Sequence, residues 1–337
     1  MTTYRAIQVA ADGSLEFTER ELVDPPAGHV RIHVEACGIC HSDSASVHEH
    51  AETDPGRVPG HEVVGRIDAL GDGVTRWALG DRVGVGFLGG PCGVCGECRR
   101  GNFVNCADQP NIGYTVDGGY AEEMIARESG LVAIPEGLSS LEAAPLLCAG
   151  FTSYNGLLKA RPKPGSLVAV QGIGGLGHLG LQYANKFGAE IVAIARGADK
   201  AKLSAQLGAH HYINSAVTDV GEELQKLGGA DVILATATSG ASMTQLLPGI
   251  RHGGTLMVVG VSVEPIEVTP MTIIFGGVTI TGSLTGTPVQ NEENLRFAAA
   301  HDVRALVEEA PFEGGQAAFD RMMSGDARFR MVLNIDA

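Results

Sequence analysis

The sequence is short of positive charge. Lys and Arg number 24 against 39 Asp and Glu, a formal net charge of −15. A chain this acidic has no general attraction for phosphate backbones or anionic membrane surfaces, which argues against a nucleic-acid reader. Charged residues of both signs make up only 19%, while hydrophobic residues make up 44%. That balance is globular and not disordered. No apolar run approaches the roughly 18 residues of a membrane span. The opening Met1-Thr2-Thr3-Tyr4-Arg5-Ala6 has no apolar core of about 7–15 residues, so secretion is not expected and a cytoplasmic protein is. No internal repeat or low-complexity tract stands out, and without a G-X-Y period collagen is excluded.

Glycine is abundant instead. There are 47 in 337 residues, about twice ordinary usage, and glycine lets a backbone turn tightly and approach ligands closely. At about 150 residues per domain the length suggests two domains. Residues 1–150 hold short apolar or alternating segments such as Val30–Glu35, Glu62–Ala69, Asp81–Val85 and Tyr120–Ile125. Turn signals such as Asp12-Gly13 and Asp117-Gly118-Gly119 separate them, which predicts a mostly β domain. After the linker Lys159–Gly165 the rhythm changes. Strand-like Leu167–Val170, Ile191–Ala195, Tyr212-Ile213, Val232–Leu234, Thr255–Val259 and Val278–Gly282 alternate with helical patterns, including Gly175–Phe187, Asp199–Leu207 and Asp219–Leu227. Strands alternating with helices predict βαβ units and a parallel sheet. The tail predicts helices near Asn291–Ala300 and Gly315–Met323, then a strand at Arg330–Asn334.

Within the second region, Val168–Gln171 runs into Gly172-Ile173-Gly174-Gly175-Leu176-Gly177. In a dinucleotide-binding turn, Gly172 would permit the bend, Gly174 would admit the pyrophosphate, and Gly177 would let the helix pack on the strand. The helix N-terminus then faces the phosphates. The plain alternative, a tight βα turn, does not account for the βα repeats that follow. An acidic residue that would bind the ribose of NAD is expected about 20 residues on. Ala195 and Arg196 stand there. Arg196 suits a 2′-phosphate, which favours NADP(H) over NAD(H). Otherwise Arg196 is a solvated charge and Asp199 reaches the ribose, unless Asp199 merely caps the next helix.

The seven cysteines are odd in number. Cys92, Cys95, Cys98 and Cys106 lie within fifteen residues, separated by two, two and seven. With no secretion signal this reads as metal binding before disulfides. Four thiolates around zinc leave no open position, so the site is structural; an iron–sulfur cluster or coincidence are the alternatives. Cys37 reads as a small buried hydrophobe. Cys40, His61 and Cys148 remain. Two Cys, one His and an open position would make a Lewis-acid zinc site, but spacing alone does not assemble segments separated by 20 and 86 residues.

The sequence resembles the zinc-dependent alcohol dehydrogenases of the medium-chain dehydrogenase/reductase superfamily. Matching segments are Gly38–Asp43, Gly60–Gly65, the cysteine lobe 92–106, Gly113–Gly119, Leu147–Gly150, the glycine loop and Leu207-Gly208-Ala209, in family order across essentially the whole chain. The resemblance implies an α/β fold, with a β-rich GroES-like catalytic domain over 1–150, completed by 287–337, and a Rossmann doubly wound parallel sheet over 151–286. It implies two zinc ions. Cys40, His61 and Cys148 would hold the catalytic one, with Glu62 as exchangeable fourth ligand and Asp43 orienting His61. Ser42 would contact the substrate oxygen, and a proton would pass through the nicotinamide ribose to His48, eight residues after Cys40. His41, Gly175, Leu176, Val261 and Arg330 join the cofactor set, Arg330 at the pyrophosphate. Each has a plainer reading: Asp43 as a turn residue, His48 as a solvated loop histidine, His41 as a cleft wall, Arg330 as a surface charge.

Val47, Phe87 and Tyr114 would line the substrate pocket with Ser42, or belong to ordinary core. An apolar lining suits primary alcohols and aldehydes. The expected activity is reversible hydride transfer between NADP(H) and such substrates. An NAD-preferring enzyme and a non-catalytic zinc- and dinucleotide-binding protein are the alternatives. Family members are dimers or tetramers, and the segment Val278–Gly286 offers a sheet edge for pairing between copies.

Overall fold

A computed structural model of the chain describes residues 2–336. Fifteen strands are formed among the described residues. The first seven are β1 (Thr3–Val9), β2 (Leu15–Glu21), β3 (His29–Gly38), β4 (Val63–Leu70), β5 (Arg82–Val85), β6 (Glu123–Arg127) and β7 (Leu131–Ala133). Six follow: β8 (Leu167–Gln171), β9 (Glu190–Ala195), β10 (His211–Asn214), β11 (Ala230–Ala235), β12 (Ile250–Val258) and β13 (Thr279–Gly282). The chain closes with β14 (Val307–Pro311) and β15 (Arg330–Asn334). It divides into two units, Met1–Phe151 with Thr285–Ala337, and Thr152–Leu284.

The first unit is built on β3. Its residues alternate between buried and half-exposed until the last three, which are all buried, the period-two pattern of a strand with one face on a core. Strands β15, β4 and β6 all pair with it antiparallel, in a sheet ordered β14-β15-β3-β4-β5-β7. β1 and β2 form a separate antiparallel pair. The core beneath includes Val34, Val47, Val63, Tyr120 and Leu333, and it includes Cys37. The helix Pro288–His301 begins with a capping box, in which Thr287 accepts from the Gln290 N–H and the Gln290 side chain returns the bond; this satisfies two otherwise orphaned donors.

The second unit is a six-stranded sheet ordered β10-β9-β8-β11-β12-β13, parallel throughout. β8 is buried at all five positions, as a strand covered on both faces requires. The order reverses between β8 and β11, where open α/β sheets bind ligands beyond the carboxyl ends of the strands. β13 is an edge. Beside it in sequence, the helix Pro270–Gly276 buries none of its residues and exposes Met271, Ile273, Ile274 and Phe275.

Two local expectations shift. Tyr120 stands before β6 and not within it, because its N–H donates to the Pro59 carbonyl. The helix expected from Asp199 starts at Ala201, with Lys200 at its N-cap and no side-chain cap, so Asp199 is not the capping residue. No helix among the described residues is long and apolar enough to cross a membrane.

The capping box yields a stability prediction. Thr287→Ala removes one side-chain acceptor and should destabilise the first unit by about 1 kcal/mol. The chain has one tryptophan, Trp77, packed against that unit's core. A urea titration followed by its fluorescence should show a lower midpoint, and an unchanged midpoint would contradict the prediction.

Candidate metal centres and cofactor loop

Three segments converge in the first unit. Cys40 lies just past the end of β3, His61 lies two residues before β4, and Cys148 follows the short 3-10 turn Ala144–Leu147. Their ligand atoms all lie within 4.8 Å of one another, and all three residues are buried. Zinc bonds of about 2.0–2.3 Å to nitrogen and sulfur fit a cluster of that size. Gly60, at φ +97°, sets the bend that delivers His61.

Asp43 Oδ1 lies 2.9 Å from His61 Nδ1. A carboxylate only accepts, so in the neutral ring Nδ1 carries the hydrogen and Nε2 is left to bind. Asp43 Oδ2 accepts from the Cys40 N–H at 2.8 Å and from the Tyr120 hydroxyl at 2.8 Å. The Ser42 hydroxyl oxygen lies 3.1 Å from Cys40 Sγ and 3.2 Å from His61 Nε2. Ser42 is the N-cap of the helix Asp43–Thr53 yet makes no side-chain cap; its hydroxyl faces the donor set and forgoes the helix. The Cys40 thiol is pulled well below its ordinary pKa, first by the Cys148 hydrogen bond against the effect of burial, then by His61. The thiolate is the form that binds metal.

Glu62 is fully buried, and burial pushes its carboxyl up to about 7 against the pull of Arg330. Arg330 Nη2 lies 2.7 Å from both Glu62 oxygens. Arg330 is 4% exposed, so it is not a surface charge: a buried carboxylate needs a buried cation. Its Nε is buried and has no hydrogen-bond partner among the described residues. Gly38 makes room for the pair, since a Cβ there would overlap the Glu62 carboxylate.

The other expected pocket residues separate. The Phe87 ring meets the His61 ring edge-on at 5.3 Å. Val47 is 1% exposed within the hydrophobic core, so it is a core residue and not a pocket wall. The Tyr114 hydroxyl donates to Glu49, and its carbonyl is 2.7 Å from His50 Nε2. His41 and His48 are exposed. His48 lies six helical positions beyond Ser42, a rise of about 9 Å, so the two do not meet directly.

Two residues absent from the sequence reading support Cys148. Asn291 and Asn294, both buried, donate to the Leu147 and Leu146 carbonyls at 3.0 Å each. The signal was present in principle: two polar residues three apart fall on one helix face, where apolar ones would ordinarily pack.

The four sulfurs of Cys92, Cys95, Cys98 and Cys106 also lie within 4.8 Å of one another. Backbone N–H groups turn toward them: Cys92 N–H toward Cys106 Sγ at 3.2 Å, Cys95 N–H toward Cys92 Sγ at 3.4 Å, Cys98 N–H toward Cys95 Sγ at 3.5 Å. The N–H groups of Cys98 and Ala107 bring the Cys95 thiol down to about 6. Val94 and Phe103 are exposed, so the lobe has little core of its own for a metal to supplement.

In the second unit the glycine loop follows β8. Gly172 has φ +87°; a Cβ at Gly177 would overlap the Gly172 carbonyl oxygen; a Cβ at Gly174 would meet nothing within 4 Å. These are the bend, the close helix packing and the open approach expected of the three positions. Gly175 and Leu176 complete the turn before the helix Gly177–Lys186. Three side chains outside the motif engage the loop's carbonyls. Thr236 Oγ1 donates to Gln171 and Gly172 at 2.7 and 2.9 Å, Ser153 Oγ donates to Leu176 at 3.0 Å, and His178 Nδ1 lies 2.8 Å from the Gly174 oxygen. Arg196 is exposed just beyond β9, and Val261 is 79% exposed.

Residues 26–136 match the alcohol dehydrogenase GroES-like domain family, and residues 175–300 match the zinc-binding dehydrogenase family. An alcohol dehydrogenase of Geobacillus stearothermophilus is 41% identical over 312 residues, 92% of this chain and 93% of that one. Among solved structures, a cinnamyl alcohol dehydrogenase of Sorghum bicolor superposes with a TM-score of 0.89 at 31% identity, covering 99% of this chain and 98% of that one. CAD from Helicobacter pylori, complexed with NADP(H), gives 0.87 at 25% identity, again covering 99% and 98%. With the donor sets and the glycine loop in place, the chain belongs to the zinc-dependent alcohol dehydrogenases of the medium-chain dehydrogenase/reductase superfamily.

Proposed function

We propose that this chain reversibly transfers hydride between NADP(H) and primary alcohols or aldehydes, with two zinc ions per chain. The observation that carries the reading is the three-donor set Cys40, His61 and Cys148, buried and one ligand short of tetrahedral, with the Ser42 hydroxyl beside it. Zinc there supplies Lewis-acid polarisation of a carbonyl or hydroxyl oxygen. The nicotinamide supplies the hydride chemistry.

The chain's own residues do the rest. Ser42 sits where a substrate oxygen's proton would be handed over, and His48 receives it further out. Asp43 keeps His61 in the binding tautomer. Glu62 is the carboxylate next to the donor set; to act as an exchangeable ligand it must leave Arg330. Phe87 forms an aromatic wall beside His61, which suits an apolar substituent on the reacting carbon. The four-cysteine lobe, with four sulfurs, closes around its metal and is structural. In the Rossmann-type unit, Gly172, Gly174, Gly175, Leu176 and Gly177 cradle the pyrophosphate, His41 and Val261 contribute to cofactor binding, and Arg196 reads the 2′-phosphate. The NADP(H) held by the Helicobacter pylori relative supports that choice. The second reading, NAD, is favoured by Asp199, whose carboxylate lies beside Gly197 just beyond β9.

The outer edge of β13 and the exposed Met271, Ile274 and Phe275 support a homodimer or homotetramer built from a second copy of this chain. The seven free cysteines, six of them in the two donor sets, suit a reducing cytoplasm.

Initial rates of benzaldehyde reduction at matched NADPH and NADH should favour NADPH. Arg196→Ala should raise KM for NADPH about tenfold while leaving KM for NADH unchanged; an NADH preference in the unaltered enzyme would overturn the role of Arg196. Cys148→Ala should lower the zinc content from two to one per chain and abolish turnover while cofactor still binds. Full residual activity would refute the catalytic assignment. Light scattering should find a dimer or tetramer, and Ile274→Asp should shift it toward smaller species; a monomeric parent would end the self-association proposal.

A further inference from the structure

Tyr120 lies in neither metal cluster, yet it touches both the residue that orients His61 and the turn that delivers it. The side chain is fully buried. Its hydroxyl donates to Asp43 Oδ2 at 2.8 Å, across 77 residues of sequence. Its N–H donates to the Pro59 carbonyl at 3.0 Å, and the preceding Gly119 N–H donates to the Gly60 carbonyl at 2.9 Å. Gly60 has φ +97°, and a Cβ there would overlap the Tyr120 ring. The glycine before His61 thus makes the room that the ring occupies.

We propose that Tyr120 is a positioning residue of the three-donor centre, holding Asp43, and through it His61, in the orientation that presents Nε2 to the metal. The inference rests on the reading of Cys40, His61 and Cys148 as a metal centre. Asp43 is 1% exposed, so its charge depends on protein donors. One oxygen faces His61 Nδ1; the other is fixed by two donors, the Cys40 N–H and the Tyr120 hydroxyl. With two donors on Oδ2 the carboxylate plane is set, and the place of Oδ1 follows. With the backbone donor alone, the carboxylate can rotate and the imidazole can follow it. Phenylalanine would fill the same space, so a packing role alone does not call for the hydroxyl. Outer partners of metal-binding histidines act on affinity in this way.

The test compares Tyr120→Phe with the parent as the full-length, zinc-loaded protein. Zinc release to a competing chelator should show the three-donor centre weakened by about 10- to 100-fold, with the four-cysteine lobe unchanged. Cobalt substituted at the three-donor centre should show shifted visible absorption, and kcat should fall while KM for the cofactor stays. Tyr183→Phe removes the hydroxyl of another fully buried tyrosine, in the other unit, and should leave zinc affinity unaltered even if it lowers the melting temperature. In an Asp43→Asn background the further effect of Tyr120→Phe should largely vanish. Melting temperatures measured with chelator present separate loss of fold from loss of metal. Parental zinc affinity and cobalt spectrum in Tyr120→Phe would overturn the proposal alone, as would a loss undiminished in the Asp43→Asn background. A parent that takes up metal only in the four-cysteine lobe would overturn the metal reading and the proposal together.

Discussion

A negative charge with almost no water around it organises the first unit. Asp43 is 1% exposed, and an isolated buried carboxylate costs several kcal/mol or neutralises itself. It persists because three groups reach it: the Cys40 N–H and the Tyr120 hydroxyl, which donate to Oδ2, and the His61 ring, 2.9 Å from Oδ1. Those groups belong to the segment just after β3, the segment before β6 and the segment before β4. Satisfying the charge therefore requires the strands to be in register, and once they are, Cys40 and His61 already stand together. Fold and metal centre share one constraint.

Glu62 poses the same problem with a different solution. It is fully buried one residue from His61, and its partner is the Arg330 guanidinium at the start of β15, 268 residues away. Paired charges in a low-dielectric interior add little net stability against an apolar replacement, but losing one partner strands the other. The pair thus acts less as a source of stability than as a lock that ties the last strand of the chain to the donor set.

What was legible in the sequence had a local signature. The parallel sheet announced itself through apolar runs at regular spacing, the glycine loop through four glycines in six residues, and the cysteine lobe through four thiols in fifteen. Family likeness then joined Cys40, His61 and Cys148, which spacing could not. The residues that hold these features in place were not legible, because their partners are distant in sequence. Asn291 and Asn294 reach back 144 and 148 residues, and Thr236 reaches the glycine loop from 64 and 65 away. Nothing local distinguishes Thr236 from an ordinary polar residue, and the three-residue spacing of Asn291 and Asn294 does not say what they reach. Val47 failed for the opposite reason, since a valine beside an active segment reads equally as core or as pocket wall until its burial is known.

The two donor sets differ in how they depend on the chain, and the difference follows from sequence separation. The four sulfurs of the lobe come from one short stretch, with backbone N–H groups turned toward them by its own tight turns. Little of the remaining fold is needed to bring them together, so a metal bound there would order the lobe as the lobe orders its ligands. The three-donor set draws on segments up to 108 residues apart, from Cys40 to Cys148. Each is braced by buried polar groups from elsewhere: Asp43 and Tyr120 for His61, Asn291 and Asn294 for the turn before Cys148. Here the protein must be folded before the geometry exists. A site assembled by the whole unit holds its ligands at fixed places, and a catalytic centre that keeps one coordination position open needs that rigidity, because the fourth ligand cannot be relied on to complete the shape.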